Sequence, residues 1–183
     1  MKITSGDYRF RKLEVPEGIR PTTEKVREAV FSMIREWIQD SVFIDLFAGS
    51  GSLGLEALSR GAAKCYFNEG NRKNYKVLVN NINHCKAGDK AVISNSDFRK
   101  CIMSINETAD VVLMDPPYEA GYYEEAFELL EQCGVLDDGS IVVAEHLYEN
   151  PLQETYGNLK RIKMKKYGTI GVDIYLYEIA IEE

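Results

Sequence analysis

Asp45-Leu46-Phe47-Ala48-Gly49-Ser50-Gly51-Ser52-Leu53-Gly54 is the stretch that decides how the chain folds. An apolar run, Ser41–Leu46, leads into it, and a helix-periodic run, Ser52–Ser59, leads out of it. Gly49, Gly51 and Gly54 have the G-x-G-x-x-G spacing of a turn that joins a parallel strand to a helix and lets a ligand approach the backbone. Such a turn is the first corner of a βαβ unit.

The rest of the chain continues the alternation of short β-branched runs with helical periodicity, which predicts an α/β fold with a parallel sheet covered on both faces. Strands are expected at Ser41–Leu46, Lys64–Asn68, Ala91–Ser94, Asp110–Met114, Ser140–Ala144, Leu159–Lys166 and Val172–Ile179, giving a seven-stranded sheet. Helices are expected at Ser52–Ser59, Asn71–Asn83, Asp97–Ile105 and Tyr122–Gln132. Only Tyr167-Gly168-Thr169-Ile170-Gly171 separates the last two strands, too short for a helical crossover, so they must pair as a terminal antiparallel hairpin. Ahead of the first strand, Pro21 with Thr22 or Thr23 opens an amphipathic helix, and residues 2–15 read as a small β-rich flap. The expected organisation is one domain over 1–183, with residues 1–38 as an N-terminal extension and 39–183 as the core.

At 183 residues and 45% hydrophobic, the chain can bury a core without metal or disulfides. No apolar run approaches a membrane span, and the basic start lacks a signal peptide's apolar stretch, so a cytoplasmic protein is expected, a monomer with no membrane partner. Cys65, Cys85, Cys101 and Cys133 form no CxxC pair, so buried reduced thiols and no metal site are expected. The net charge is -7, yet residues 1–35 carry eight basic side chains against five acidic ones, and Lys160–Lys166 is a second basic run. Two such segments could meet on one face and hold nucleic acid. Arg9 and Arg11 are the substrate-contact candidates on the flap.

Glu69 follows Gly49 by twenty residues at the end of the next strand, where an acid accepts hydrogen bonds from ribose hydroxyls. That much would also suit NAD. Asp45 separates the two readings, because a carboxylate beside the glycine turn repels a pyrophosphate and attracts a cationic amino-acid moiety. S-adenosylmethionine, with its ammonium and sulfonium, is therefore the expected cofactor. Asp45, Phe47, Gly49 and Gly51 would form its turn, and Asp97 with Phe98 would meet the adenine. Asp97 would look the same as a plain helix N-cap.

Asp115-Pro116-Pro117-Tyr118 leaves the carboxyl end of the Asp110–Met114 strand, where α/β sheets place their ligands. A conjugated exocyclic amine is a weak nucleophile until acceptors draw on its hydrogens. The Asp115 carboxylate and the Pro116 carbonyl can do so, the prolines keep that carbonyl rigid, Pro117 borders the substrate, and Tyr118 offers a face for stacking. The pair of motifs predicts methyl transfer to an amino nitrogen. Glu145-His146 reads as a strand-end pair with no chemical part, the alternative being that it shapes the base pocket.

The whole chain resembles the RsmD family of 16S ribosomal RNA guanine-N2 methyltransferases. The markers are Ile3-Thr4-Ser5-Gly6, Arg20-Pro21-Thr22-Thr23, the Asp45–Gly51 turn, Glu56-Ala57-Leu58-Ser59-Arg60-Gly61, Asp115–Tyr118 and Tyr167–Gly171. The resemblance implies a Rossmann-like class I S-adenosylmethionine-dependent methyltransferase acting on a guanine of small-subunit ribosomal RNA within an assembling particle. It places Thr22 near the cofactor end and Arg20 near phosphate or base. Phe10 departs from it, since relatives commonly have glycine there. Competing readings are methylation of DNA adenine N6 or a protein glutamine, an NAD-dependent oxidoreductase, and a non-catalytic ribosome-assembly factor.

Overall fold

The computed structural model describes residues 1–182; Glu183, the last residue of the expected domain, lies outside the described residues. The helices are α1 Glu24–Met33, α2 Ser52–Ser59, α3 Arg72–His84, α4 Phe98–Ser104 and α5 Tyr123–Gln132. The strands are β1 Val42–Asp45, β2 Lys64–Asn68, β3 Ala91–Ser94, β4 Ala109–Met114, β5 Leu136–Leu147, β6 Thr155–Tyr156, β7 Leu159–Tyr167 and β8 Ile170–Tyr177. They form one sheet in the order β3-β2-β1-β4-β5-β8-β7-β6, parallel from β3 to β5 and antiparallel from β5 to β6. Strand order reverses between β1 and β4, which opens a ligand crevice at their carboxyl ends.

Side chains alternate across this sheet. Phe43, Val111, Leu113, Val143 and Val172 face α1, α2 and α3. Ile44, Val112, Met114, Val142 and Ala144 face α4 and α5. The expected hairpin is present, with Tyr167 paired to Ile170 across the two-residue loop Gly168-Thr169.

Three expectations need correction. The sheet has eight strands because Thr155–Tyr156 pairs with the start of β7, a ladder too short to leave any periodicity. It is held by packing, as Tyr156 stacks on Phe127 at 4.2 Å. The fifth strand runs over Leu136–Leu147, longer than Ser140–Ala144, and carries Glu145 and His146 inside its ladder with β8. The flap is an irregular loop closed by a single bridge, Lys2 to Lys12. The flap binds α2 and α3 through Ser59, Asn81 and Cys85, whereas β7 lies beyond β8 towards the other edge of the sheet.

The flap is fastened by two of the sequence markers acting on each other. The buried Glu56 carboxylate accepts from the Thr4 amide at 3.1 Å, from the Thr4 hydroxyl and from Arg60, and faces Arg27 Nε at 3.7 Å. Ser59 receives the Tyr8 amide at its hydroxyl and the Asp7 amide at its carbonyl. A Cβ at Gly6 would lie 1.8 Å from that carbonyl oxygen, so only glycine fits. Phe10, the departure from the family pattern, has φ 71°, a conformation that glycine adopts without strain and a phenylalanine does not. Its exposed ring lies under the Arg9 guanidinium at 4.6 Å.

Candidate active site

Three carboxylates converge at the switch point. Asp45 ends β1, Asp115 follows β4 one step beyond the Met114 to Ala144 pair, and Glu145 is the next residue of β5. All three are in phase with Phe43, Leu113 and Val143, so they project to the α1 and α2 face, on strands about 4.8 Å apart.

Asp45 is buried and accepts the Gly54 amide at 3.0 Å at the start of α2. Burial raises its pKa to about 7; the Gly54 amide opposes the rise and the charge of Glu69 adds to it. The three glycines of the turn divide their duties. A Cβ at Gly51 or Gly54 would strike Leu78 at 2.5 Å or the Phe67 ring at 2.3 Å, so these two let α2 pack against α3 and β2. Gly49, with φ 57°, meets only Ile19 at 4.0 Å and faces open space. Glu69 lies at the end of β2 opposite the Gly49 amide and accepts the Asn71 amide at 3.2 Å. A buried carboxylate, an open glycine and a ribose-height acid fit a ligand with a cationic end and a ribose. Nothing in this turn presents a cation to a pyrophosphate.

Asp97 and Phe98, the expected adenine contacts, stand at the start of α4. Asp97 caps α4, accepting the Arg99 amide at 2.9 Å while its carboxylate pairs with the Arg99 guanidinium. Phe98 is buried, packed against Phe47 at 5.3 Å and Tyr122 at 4.9 Å. Phe47 and Tyr122, both partly exposed, carry the accessible edge of that aromatic cluster.

At the catalytic turn Pro116 is buried, Pro117 exposed, and Tyr118 starts a short 3-10 turn. Burial raises the Asp115 pKa well above the carboxylate range, reinforced by the charges of Glu145 and Asp45 and opposed by the Thr22 hydroxyl. Glu145 is raised by burial against the pull of the Thr22 and Tyr118 hydroxyls. Thr22 donates to Glu145 Oε2 at 3.0 Å, Tyr118 donates to Oε1 at 3.1 Å, and the Tyr123 hydroxyl donates to the Glu145 carbonyl at 2.6 Å. Glu145 therefore lines the cavity beside Asp115, in keeping with the alternative given for the Glu145-His146 pair. Its signal was a lone acid closing the apolar run Ile141-Val142-Val143-Ala144 at the carboxyl end of a strand.

His146 points to the opposite face. Its Nε2 meets buried Asp173 at 2.9 Å and its Nδ1 meets the Leu147 carbonyl at 2.8 Å. Burial pulls its pKa down, but Asp173 and the carbonyl outweigh this and raise it. Of the substrate candidates, Thr22 reaches the pocket and Arg20 is exposed. Arg11 is committed to the Cys85 carbonyl at the end of α3, and Arg9 to the Phe10 ring.

A family model described as "Conserved hypothetical protein 95" matches residues 1–176. The chain is 37% identical over 180 residues to the ribosomal RNA small subunit methyltransferase D of Escherichia coli K12, covering 97% of this chain and 90% of that one. It is 34% identical to the Haemophilus influenzae protein of the same name, covering 96% and 93%. A solved Escherichia coli structure, named as a candidate methyltransferase, superposes with a TM-score of 0.88 at 38% identity, over 97% and 98% of the two chains. An RNA methyltransferase from Salinibacter ruber, solved with S-adenosyl-L-homocysteine, shares the fold with a TM-score of 0.66 at 17% identity, over 90% and 97%.

Proposed function

Because this chain belongs to the family described as conserved hypothetical protein 95, we propose that it methylates the exocyclic N2 amine of a guanine in 16S ribosomal RNA, using S-adenosylmethionine. The observation that carries the reading is the seating of Asp115-Pro116-Pro117-Tyr118 at the switch point, one strand from the buried Asp45. The names of its relatives support ribosomal RNA as the substrate class, and the resemblance in sequence supports guanine.

S-adenosylmethionine, when bound, supplies an electrophilic methyl group. Asp45 lies at the strand end suited to its ammonium, Glu69 to its ribose hydroxyls, and Gly49 leaves room for its backbone-side atoms. Asp115 and the Pro116 carbonyl accept the two amine hydrogens, which localises the nitrogen lone pair and aims it along the axis of transfer. As the new N–C bond forms, the old C–S electron pair stays on sulfur and the nitrogen sheds a proton. Asp115, with its raised pKa, is placed to take that proton.

The direct test incubates the purified protein with methyl-labelled S-adenosylmethionine and small-subunit ribosomal RNA from a strain lacking the gene, naked or in particles. Digestion and mass spectrometry should find the label in N2-methylguanosine. Label in N6-methyladenosine or protein glutamine, or no label at all, would overturn the reading.

Asp45 adds a pH signature to cofactor binding. Its carboxyl titrates near pH 7 in the free protein, and an ammonium beside it favours the ionised form. Affinity should therefore rise with pH up to about 7, with protons released on binding at pH 6–7, as read by calorimetry in two buffers of different ionisation enthalpy. Asp45→Asn should flatten this profile and weaken binding. The same variant should stabilise the free protein. The raised pKa means that the folded state binds more protons than the unfolded one, so stability falls as pH rises from about 4 to 7, by something on the order of 4 kcal/mol when complete. A pH-independent affinity in the unaltered protein would refute this role for Asp45.

A further inference from the structure

We propose that Glu145 selects guanine by accepting the N1–H of the base while Asp115 and the Pro116 carbonyl hold its amine. The inference rests on the guanine reading above and supplies what that reading lacks, a group that tells guanine from other amine-bearing bases.

Register and packing put the carboxylate where the neighbouring edge of the base must lie. Asp115 and Glu145 are consecutive across the β4–β5 ladder and share a face. The Glu145 backbone is pinned by its pairing with Val172 and by the Tyr123 hydroxyl on its carbonyl, and both its oxygens are oriented by hydroxyls. An ionised carboxylate offers about four lone-pair sites. Thr22 and Tyr118 use one on each oxygen, which leaves an acceptor on each for an incoming N–H. Both of these partners are neutral donors, and the cation that eases the Glu145 charge is the adjacent His146, on the other face of the strand. Between α1, α2 and the sheet lies a cavity of about 10 Å³, room for roughly one water. It is lined by Val30, Leu53, Val143 and Val172, with Asp115 and Glu145 as its polar groups, so the pair has apolar surroundings in which an unmatched hydrogen bond is costly.

The chemistry of the bases does the rest. Guanine presents N1–H next to N2–H₂, three donors in a row, and the site presents three acceptors: Glu145, Asp115 and the Pro116 carbonyl. Adenine and cytosine carry a ring lone pair beside their amine, and that lone pair would face the Glu145 carboxylate. Acceptance of the N1–H also pushes electron density through C2 towards N2 and makes the amine a better nucleophile.

The test uses 2-aminopurine, which keeps the N2 amine and replaces N1–H with a lone pair, installed at the mapped target nucleotide of a synthetic RNA. The unaltered enzyme should show kcat/KM at least about 10²-fold lower on 2-aminopurine than on guanine. Glu145→Gln, whose amide can donate to N1, should narrow or reverse that ratio, a change that loss of structure or a difference in intrinsic amine reactivity would not produce. Equal use of the two bases by the unaltered enzyme, a comparison that needs no variant to fold, would overturn the assignment. So would a folded Glu145→Gln that loses both activities in proportion. Either result with guanine N2 still methylated leaves the proposed function standing, whereas absence of guanine methylation by the unaltered enzyme would remove both.

Discussion

Asp115→Ala should lower kcat for methyl transfer by about 10³-fold or more and leave the Kd for S-adenosylhomocysteine within about threefold. In the proposed reaction the carboxylate stands at the amine, one strand over from Asp45 and two from Glu69, so the proposed cofactor contacts should survive its removal. Two losses combine in the alanine variant: one acceptor of the amine hydrogens and the acceptor for the departing proton. Asp115→Asn separates them, because its carbonyl still accepts an N–H but takes up no proton, so it should retain more activity than alanine. In the unaltered enzyme kcat/KM should rise with pH and then level off. Burial and the charges of Glu145 and Asp45 raise the Asp115 pKa, so the acid limb should lie above the ordinary carboxylate value of about 4. The midpoint belongs to the Asp115–Glu145 pair as a whole. Single-turnover rates, calorimetry with S-adenosylhomocysteine and a pH profile check all three expectations. Full turnover in Asp115→Ala would remove the catalytic assignment.

Glu56→Ala should destabilise the fold by about 3–5 kcal/mol, because it removes the nearest counter-charge of the buried Arg27 guanidinium and leaves only the weaker pull of Glu24 and Glu28. For a chain of this size that is a fall in Tm of very roughly 10 °C. Arg27 has no exposed surface, and its Nε and Nη1 have no hydrogen-bond partner, so the Glu56 charge at 3.7 Å is its main compensation. The damage should also be local. Thr4 loses its acceptor, so the flap should become sensitive to proteolysis before the rest of the protein unfolds. A double variant, Arg27→Met with Glu56→Leu, removes both charges and keeps the volume, and should recover much of the lost stability while leaving the flap loose. If Glu56→Ala melts with the unaltered protein, the buried pair is not what holds the flap.

Much of the architecture was legible because it is written in local chemistry. The α2 and β2 boundaries follow from the glycine turn and from apolar periodicity, and the two-residue loop at Gly168-Thr169 dictates the hairpin. The Asp45 turn and the Asp115–Tyr118 turn likewise announce themselves as strand ends, and both lie at the switch point of the sheet. The missed features were those with weak local signals. β6 has two residues and is stabilised by aromatic contact with α5 and β8. Asp97 had two local readings, and its pairing with Arg99, itself tied to Glu125 of α5, favours the cap. Arg11 looked free for substrate until the end of α3 was brought to it.

The sequence alone determined the strand–turn–helix rhythm, the terminal hairpin, and the two turns to which cofactor and amine chemistry are proposed to belong, since each depends on residues within a few positions of one another. Only the tertiary structure decided that Glu145 joins Asp115, through Thr22 lying 123 residues away, and that Glu56 clasps Thr4 and Arg27. Strand order and register bring these partners together. Both are set by packing across the whole sheet, which no window of sequence contains.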